Sequence, residues 1–474
     1  MLDQVKLALL KGRFLLPTAE LVKEAGLGFS DYDGETRQYR LKSTEFPYLS
    51  AKIFQEKDIP IQVAIGNYDL GICSLDWIEE LLTRYPASEL VKISSLNYGE
   101  GSIYAVASYQ EGLSSLDELL AKHGDVRLVS EYPNLTEGFA LNRRIKKFKI
   151  FPVWGAAEVY PPENADIAIM WVDGGEEIDS RGLVTLWNLL PVDVSLIANR
   201  QSLESKDLSQ IINRLVEASV ARGRQSQFIA KSNAIVSGEL GKPVLDWSEK
   251  EIKLALPDGH QQVPAARLLE RAGFSPQGYG EGELIPRPLI NLDWASVKVI
   301  RPQDMPLQVA NGNFDLAITG EDWLLDHLYR FPSSPVKKLL NLGFGMVRIV
   351  AAASSDMPVT DIDELRLLLR SGGINCLRVA SEYVDIADKY LRDNHISPYK
   401  LIPTYGASEA FLPEDADLLI DNVQTGKTLA QHKLKVIDVL FTSTACLIGN
   451  KDSLNSNKRE KIDFIIQMLQ AGLS

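Results

Sequence analysis

The stretch from Ala416 to Leu434, ADLLIDNVQTGKTLAQHKL, carries the residues with the plainest chemical purpose. An apolar run, Leu418-Leu419-Ile420, ends in Asp421, passes through Asn422 to Gln424, and enters Thr425-Gly426-Lys427-Thr428 just ahead of a helical pattern. Such a strand-to-helix turn leaves backbone N–H groups unpaired at the positive end of a helix dipole, which suits a phosphate. Thr425, Lys427 and Thr428 add side-chain donors. The turn is not a Walker A loop, because Asp421 stands where that motif needs a glycine. An acid just ahead of a phosphate turn can instead accept protons from ribose hydroxyls. A plain helix N-cap has the same local sequence, so the surrounding residues must decide between the two readings.

Those residues need a scaffold, and the chain writes it twice. Residues 58–82, DIPIQVAIGNYDLGICSLDWIEELL, return 246 residues later as DMPLQVANGNFDLAITGEDWLLDHL at 304–328. A period this long marks a duplicated domain rather than a solenoid, whose repeats run to roughly 20–50 residues. Each copy opens with an apolar strand (VKLALL at 5–10, IKLALP at 252–257) and a helix closed by a glycine, Gly26 or Gly273. Strands then alternate with short helices, which implies βαβ units around mostly parallel sheets. The expected copies are residues 1–240 and 250–474, with inner α/β lobes near 97–190 and 344–437. The junction falls in the Gly-, Pro- and Ser-containing stretch at 232–250. Two α/β lobes joined by crossing strands make a cleft, and such sheets bind ligands at the carboxyl ends of their strands.

Bulk properties narrow the partners. A net charge of −13 over 474 residues argues against nucleic acid, which needs clustered cations to displace counterions. Three cysteines (Cys73, Cys376, Cys446) form no C-x-x-C pair, which suits a reducing, cytoplasmic setting. The N-terminus lacks a signal-peptide core, and no apolar run is long enough for a membrane span. The five histidines show no metal-ligand spacing. Trp77 and Trp323 recur at one helical position and read as core anchors. Glu131, Tyr132, Glu158 and Glu382 read as structural or supporting residues.

The pattern E-x₇-D-x₃-D-x₃-TG-x-TL, present as Glu409, Asp417, Asp421, Thr425, Gly426, Thr428 and Leu429, resembles the phosphoribosyl pyrophosphate signature of ATP phosphoribosyltransferases. LALLKGRF at 7–14, R-x-x-D-x-P-x-x-V at 301–309, FGMVRI at 344–349 and SEYPNLT at 130–136 agree with it. The resemblance covers almost the whole chain, twice. It implies an α/β fold made of two tandem copies of a two-lobed architecture like type II periplasmic binding proteins. It also implies the first step of histidine biosynthesis: ATP plus phosphoribosyl pyrophosphate giving phosphoribosyl-ATP and pyrophosphate, with Mg²⁺. On the same ground Arg301 and Arg348 suit the leaving group, Asp421 the ribose, and Glu409, Asp417 and Arg287 the substrate shell. The protein ligands of the metal are left open.

Departures from the pattern matter as much. At the place of the turn the first copy reads ADIAIMWVDGGEEIDSRGL, so Met170 replaces Asp421, and Glu176 and Glu177 replace Lys427 and Thr428. A carboxylate about 4 Å from a phosphate costs on the order of 4 kcal/mol per charge pair at an effective dielectric of about 20. The first copy is therefore expected to refuse phosphate. It also has Gln55 where the second has Arg301, and Ser102 where the second has Arg348. Conversely it keeps Lys11-Gly12-Arg13, which the family uses near the nucleotide, where the second has Asp258-Gly259-His260. The second copy also has Val347 for a usual cysteine and His432 for a usual asparagine. These readings combine into an internal pseudo-dimer whose second copy supplies the turn, Arg287, Arg301 and Arg348 while Lys11 and Arg13 reach in from the first. The alternatives are a non-catalytic nucleotide-binding or regulatory paralogue and, against the missing export signal, a solute-binding protein. Further oligomerisation or an accessory regulatory subunit is left open, and no regulatory domain is expected beyond the second copy.

Overall fold

The computed structural model describes residues 4–33, 39–113, 115–173, 178–229 and 252–473. The expected junction at 232–250 and the pair Glu176–Glu177 lie outside the described residues. The chain is an α/β protein in which each copy builds two mixed sheets. This is the two-lobed architecture of type II periplasmic binding proteins, in tandem duplicate.

In the second copy the outer sheet runs Ala295–Ile300, Ile252–Pro257, Leu316–Gly320, Ala445–Asn450, Val336–Asn341. The inner sheet repeats that order with Tyr399–Pro403, Leu377–Ser381, Leu418–Val423, Val347–Ser354 and Leu434–Ser443. In both, the first three strands are parallel and the fourth is antiparallel to its neighbours on each side. The chain crosses between these sheets twice, at 342–346 and at Thr444. The central strands are buried along their length (BBBBB for Leu316–Gly320), as expected when helices cover both faces.

Helices follow their sequence signals. Gln262–Arg271 buries Ala265, Ala266, Leu268 and Leu269 on one face and is stopped by Gly273 at φ +81°. Ile362–Arg370 begins at Asp361, whose side chain accepts the backbone N–H of Glu364 at 2.8 Å. In the first copy Leu15–Glu24 and Leu116–Lys122 occupy the corresponding places.

The chain divides into two compact units, and neither is contiguous. The first comprises Met1–Pro152, Ala165–Pro243 and Tyr405–Ala410; the second comprises Val153–Asn164, Val244–Thr404 and Phe411–Ser474. A short segment of each copy thus packs inside the unit of the other. Periodicity has no way to register this exchange, because both segments are short and carry no strand.

In the second unit the visiting segment is held by charge. Glu163 takes Lys298 Nζ at 2.7 Å and Arg287 Nη1 at 2.8 Å, and Arg287 Nη2 also donates to the carbonyls of Val159 and Pro161. Lys298 donates further to Asn164 Oδ1 at 2.8 Å. Burial alone would raise Glu163, but Lys298 and Arg287 bring it down to about 2. Lys298 is 5% exposed, so removing its carboxylate strands a buried charge. Glu163→Ala is expected to cost about 3–5 kcal/mol in denaturant unfolding. The double variant Glu163→Leu with Lys298→Met should recover most of that loss.

Candidate active site in the second copy

The turn is placed by the inner sheet. Strand Leu418–Val423 lies between Leu377–Ser381 and Val347–Ser354, and its carboxyl end delivers Asp421 and then Gln424-Thr425-Gly426. Gly426 has φ +73°, a left-handed conformation that a side chain would strain, and the short helix Lys427–Gln431 starts directly after it. Thr425 Oγ1 accepts the Lys427 N–H at 3.5 Å. Gln424, Thr425, Lys427 and Thr428 are exposed.

Strand pairing brings Arg348 to the same end. Arg348 is opposite Val423 and Val350 is opposite Asp421, so Arg348 and Asp421 are diagonal neighbours on one face of the sheet. Among the described residues, neither Arg348 nor Lys427 has a carboxylate partner. Two cations thus stand beside the turn without a carboxylate partner among the described residues, an arrangement that can take an anion.

The other expected residues fall in different surroundings. Asp417 is gripped by Arg378, with Nη2 at 2.7 Å, Nε at 3.2 Å and the backbone N–H at 2.9 Å. Asp166 and Arg127 make the same fork in the first copy, so the pair serves the strand start in both. Glu409 lies in Tyr405–Ala410, the segment that packs in the first unit. Arg287 is committed to Glu163, as above. Arg301 pairs with Asp258 at 2.6 Å and passes over Gly155, whose added Cβ would stand 3.0 Å from its Nε. Arg301 is 46% exposed, so that pair costs little to break, about 0–1 kcal/mol.

Arg13 and Lys11 are occupied within the first unit. Arg13 donates through Nη2 to Asp76 at 2.5 Å and through Nε to Glu56 at 3.2 Å. Its guanidinium lies 4.2 Å from the Trp171 ring centre, and Trp171 meets Phe14 edge-on. Tyr132 closes the cluster by donating to Asp76 at 2.8 Å. Burial opposes the Arg13 charge, but Asp76 and Glu56 outweigh it and raise the guanidinium further. Lys11 Nζ donates to the Tyr39 hydroxyl at 2.8 Å. Strand register equates Trp171 with Asn422 and Met170 with Asp421. The first copy therefore fills with an arginine and two aromatics the cleft that the second copy lines with polar groups. That plug could not be read from motifs, since its acids, Glu56 and Asp76, lie in ordinary helix starts.

The segment Tyr405–Ala410 is anchored in the first unit by Asp58, which accepts the backbone N–H of Tyr405, as Asp304 accepts that of Trp154 in the second. Lys57 stands over the Trp77 and Tyr405 rings and pairs with Glu131. Asp58 is 2% exposed, Oδ2 has no partner, and burial pushes it up to about 8. A raised carboxyl binds its proton more tightly in the folded state, so its stabilisation is complete below about pH 4 and is lost as pH rises to 8. Asp58→Asn should flatten this part of the stability profile, by up to about 1.4 kcal/mol per pH unit between these limits, in unfolding at pH 5 and 8.

One His/Asp/Glu cluster among the described residues has metal-like spacing, namely Glu111, His123 and Asp166. Arg127 and Lys122 already neutralise its acids, so it reads as an ion-pair network. No such cluster surrounds Asp421 among the described residues.

The sequence profile described as HisG, ATP phosphoribosyltransferase, matches residues 55–218 and again 301–471, well over half of the chain. The chain belongs to the ATP phosphoribosyltransferase family. The double match is the tandem duplication, and the family consists of transferases of histidine biosynthesis. An ATP phosphoribosyltransferase of Saccharolobus solfataricus is 30% identical over 230 residues, covering 48% of this chain and 73% of that protein. One from Methanocaldococcus jannaschii is 33% identical over 225 residues, covering 47% and 73%. Among solved structures, the ATP phosphoribosyl transferase (HisG:HisZ) complex from Thermotoga maritima aligns with 47% of this chain and 98% of its own. It is 20% identical, with a TM-score of 0.38.

Proposed function

We propose that the chain transfers the phosphoribosyl group of phosphoribosyl pyrophosphate to ATP, at a single site in the second copy, in the cytoplasm. The observation that carries this reading is the convergence of Arg348, Asp421 and the Thr425–Thr428 turn at one strand end, where neither Arg348 nor Lys427 has a carboxylate partner among the described residues. An adenine ring nitrogen forms the new bond to the anomeric carbon as the bond from that carbon to the pyrophosphate oxygen breaks. The ring nitrogen is already a nucleophile, so positioning and charge stabilisation do most of the work.

Thr425, Lys427, Thr428 and the backbone of the turn hold the 5′-phosphate. Asp421 accepts the ribose hydroxyls and favours positive charge on the sugar. Arg348 receives pyrophosphate with the two parallel donors of a guanidinium. Arg301, released from Asp258, is the second candidate for the leaving group. Glu409 extends the acidic side of the signature, while Asp417 and Arg287 position strands and the visiting segment. Lys11 and Arg13 hold the first copy together. Asp421 would help to hold Mg²⁺, which would supply charge neutralisation at the pyrophosphate oxygens.

A second reading, a non-catalytic nucleotide-binding or regulatory paralogue, is favoured by the Arg301–Asp258 pair, which neutralises a cation otherwise meant for pyrophosphate. Partner requirements follow the same division: the Thermotoga maritima protein is found with HisZ, and an accessory subunit here would be revealed by activity that depends on it. A coupled assay of pyrophosphate release, with purified chain, both substrates and Mg²⁺, separates the readings. Turnover supports the transferase, and ATP binding without any release supports the paralogue.

A further inference from the structure

The outer strands of the two copies superpose by register, with Leu7 and Leu70 paired as Leu254 and Leu316 are. By that alignment Arg13 corresponds to His260, Phe14 to Gln261 and Ser74 to Gly320, while Asp76 and Tyr132 persist as Asp322 and Tyr383. In the first copy every acceptor of Asp76 is used. Arg13 and Tyr132 donate to Oδ2, and the Ser74 hydroxyl and the Trp77 N–H donate to Oδ1.

In the second copy the same carboxylate has lost two of those donors. Tyr383 still donates to Asp322 Oδ2 at 2.8 Å, but Oδ1 is buried with no hydrogen-bond partner. Gln261 Oε1 is a second buried acceptor without one. The two side chains, each 4% exposed, converge on Gly320: a Cβ there would collide with Asp322 Oδ1 and stand 3.3 Å from Gln261 Nε2. Where the first copy has the Ser74 side chain, the second therefore has Asp322 Oδ1 and the Gln261 amide packed against bare glycine, without a hydroxyl to donate. Burial raises Asp322 above the usual carboxylate range, against the lowering effect of hydrogen bonds from Tyr383, the Trp323 N–H and Ser443. Orphaned acceptors of this kind are rare in native proteins, and two side by side call for a donor from outside.

We propose that the second-copy cleft receives, at Asp322 and Gln261, a ligand group bearing paired N–H donors, which takes the place that the Arg13 guanidinium fills in the first copy. Arg13 is the built-in example of what the carboxylate holds, and the second copy has exchanged it for His260, which is exposed. The group is an amidine, guanidinium or amino edge. It belongs either to a free small cation, which supplies both donors, or to the adenine ring of a nucleotide, whose 6-amino N–H goes to one acceptor while the ring nitrogen beside it takes the Gln261 amide N–H. The site uses the cleft of the proposed function but not its reaction, so it is tested by binding without turnover.

Methylguanidinium is the probe, titrated into the full chain by calorimetry and followed by melting temperature. The expected result is saturable binding to one site per chain that raises the melting temperature. Binding should weaken at least about tenfold in Asp322→Asn. It should vanish in His260→Arg, which supplies its own guanidinium and should melt no lower than the parent. Competition by ATP would assign the site to the adenine edge; saturable binding that ATP leaves untouched would assign it to a free cation. No saturable binding, or binding that His260→Arg leaves unchanged, would overturn the proposal.

Discussion

Arg348→Ala is expected to lower pyrophosphate release by about 10²–10³-fold, the scale for losing one preorganised donor to a developing negative charge. The side chain stands at the end of its strand opposite Val423, one residue before the turn begins, and no carboxylate among the described residues neutralises it. Being exposed, it contributes little to folding, so the variant should unfold within about 0.5 kcal/mol of the parent. Arg348→Lys should restore charge but not the two-pronged grip, giving partial recovery. The loss should fall mainly on kcat, because the charge on the leaving group grows as the bond breaks. An equal loss with a fall in stability would make Arg348 a structural residue.

Arg13→Ala should do the opposite and destabilise the chain by about 3–5 kcal/mol. Its removal would leave two acids, Asp76 at 0% side-chain exposure and Glu56 at 8%, facing each other without their cation. Burial already lifts Glu56 to about 7, with Arg13 opposing the rise and Asp76 adding to it. Without Arg13, Glu56 should take up its proton at higher pH. The melting temperature of Arg13→Ala is then expected to improve on acidification from pH 8 to 6, because a raised carboxyl favours the folded state below its folded pKa. Asp76→Leu combined with Arg13→Met should recover much of the stability, which separates a held charge from a lost shape. A stable Arg13→Ala chain with crippled turnover would instead restore the idea of an arginine shared between copies.

Much of the fold was legible because strands and helices announce themselves locally. Gly26 and Gly273 stopped the helices they flank, the 246-residue repeat gave the duplication, and the buried runs DLGIC and DLAIT formed central strands. The turn at Asp421–Thr428 was legible as a turn, because a Thr-Gly-Lys-Thr run after an apolar strand separates it from the helix that follows. What escaped was everything that depends on partners far along the chain. Arg287 looks like a substrate residue until Glu163, 124 residues away in sequence, is seen to hold it. Asp417 looks like a ribose ligand until the fork with Arg378 is found. Arg13 looked free to reach another site, yet Asp76 and Trp171 claim it. A charged side chain is spoken for by whichever opposite charge the topology brings near, and that pairing is not written in any local window.

The most direct test is the number of phosphoribosyl pyrophosphate molecules bound per chain, by calorimetry with Mg²⁺, in the parent and in a Thr425→Val, Thr428→Val double variant. One per chain, lost in the variant, is the predicted outcome. Two per chain, or one that survives loss of both hydroxyls undiminished, would contradict a donor site confined to the second copy.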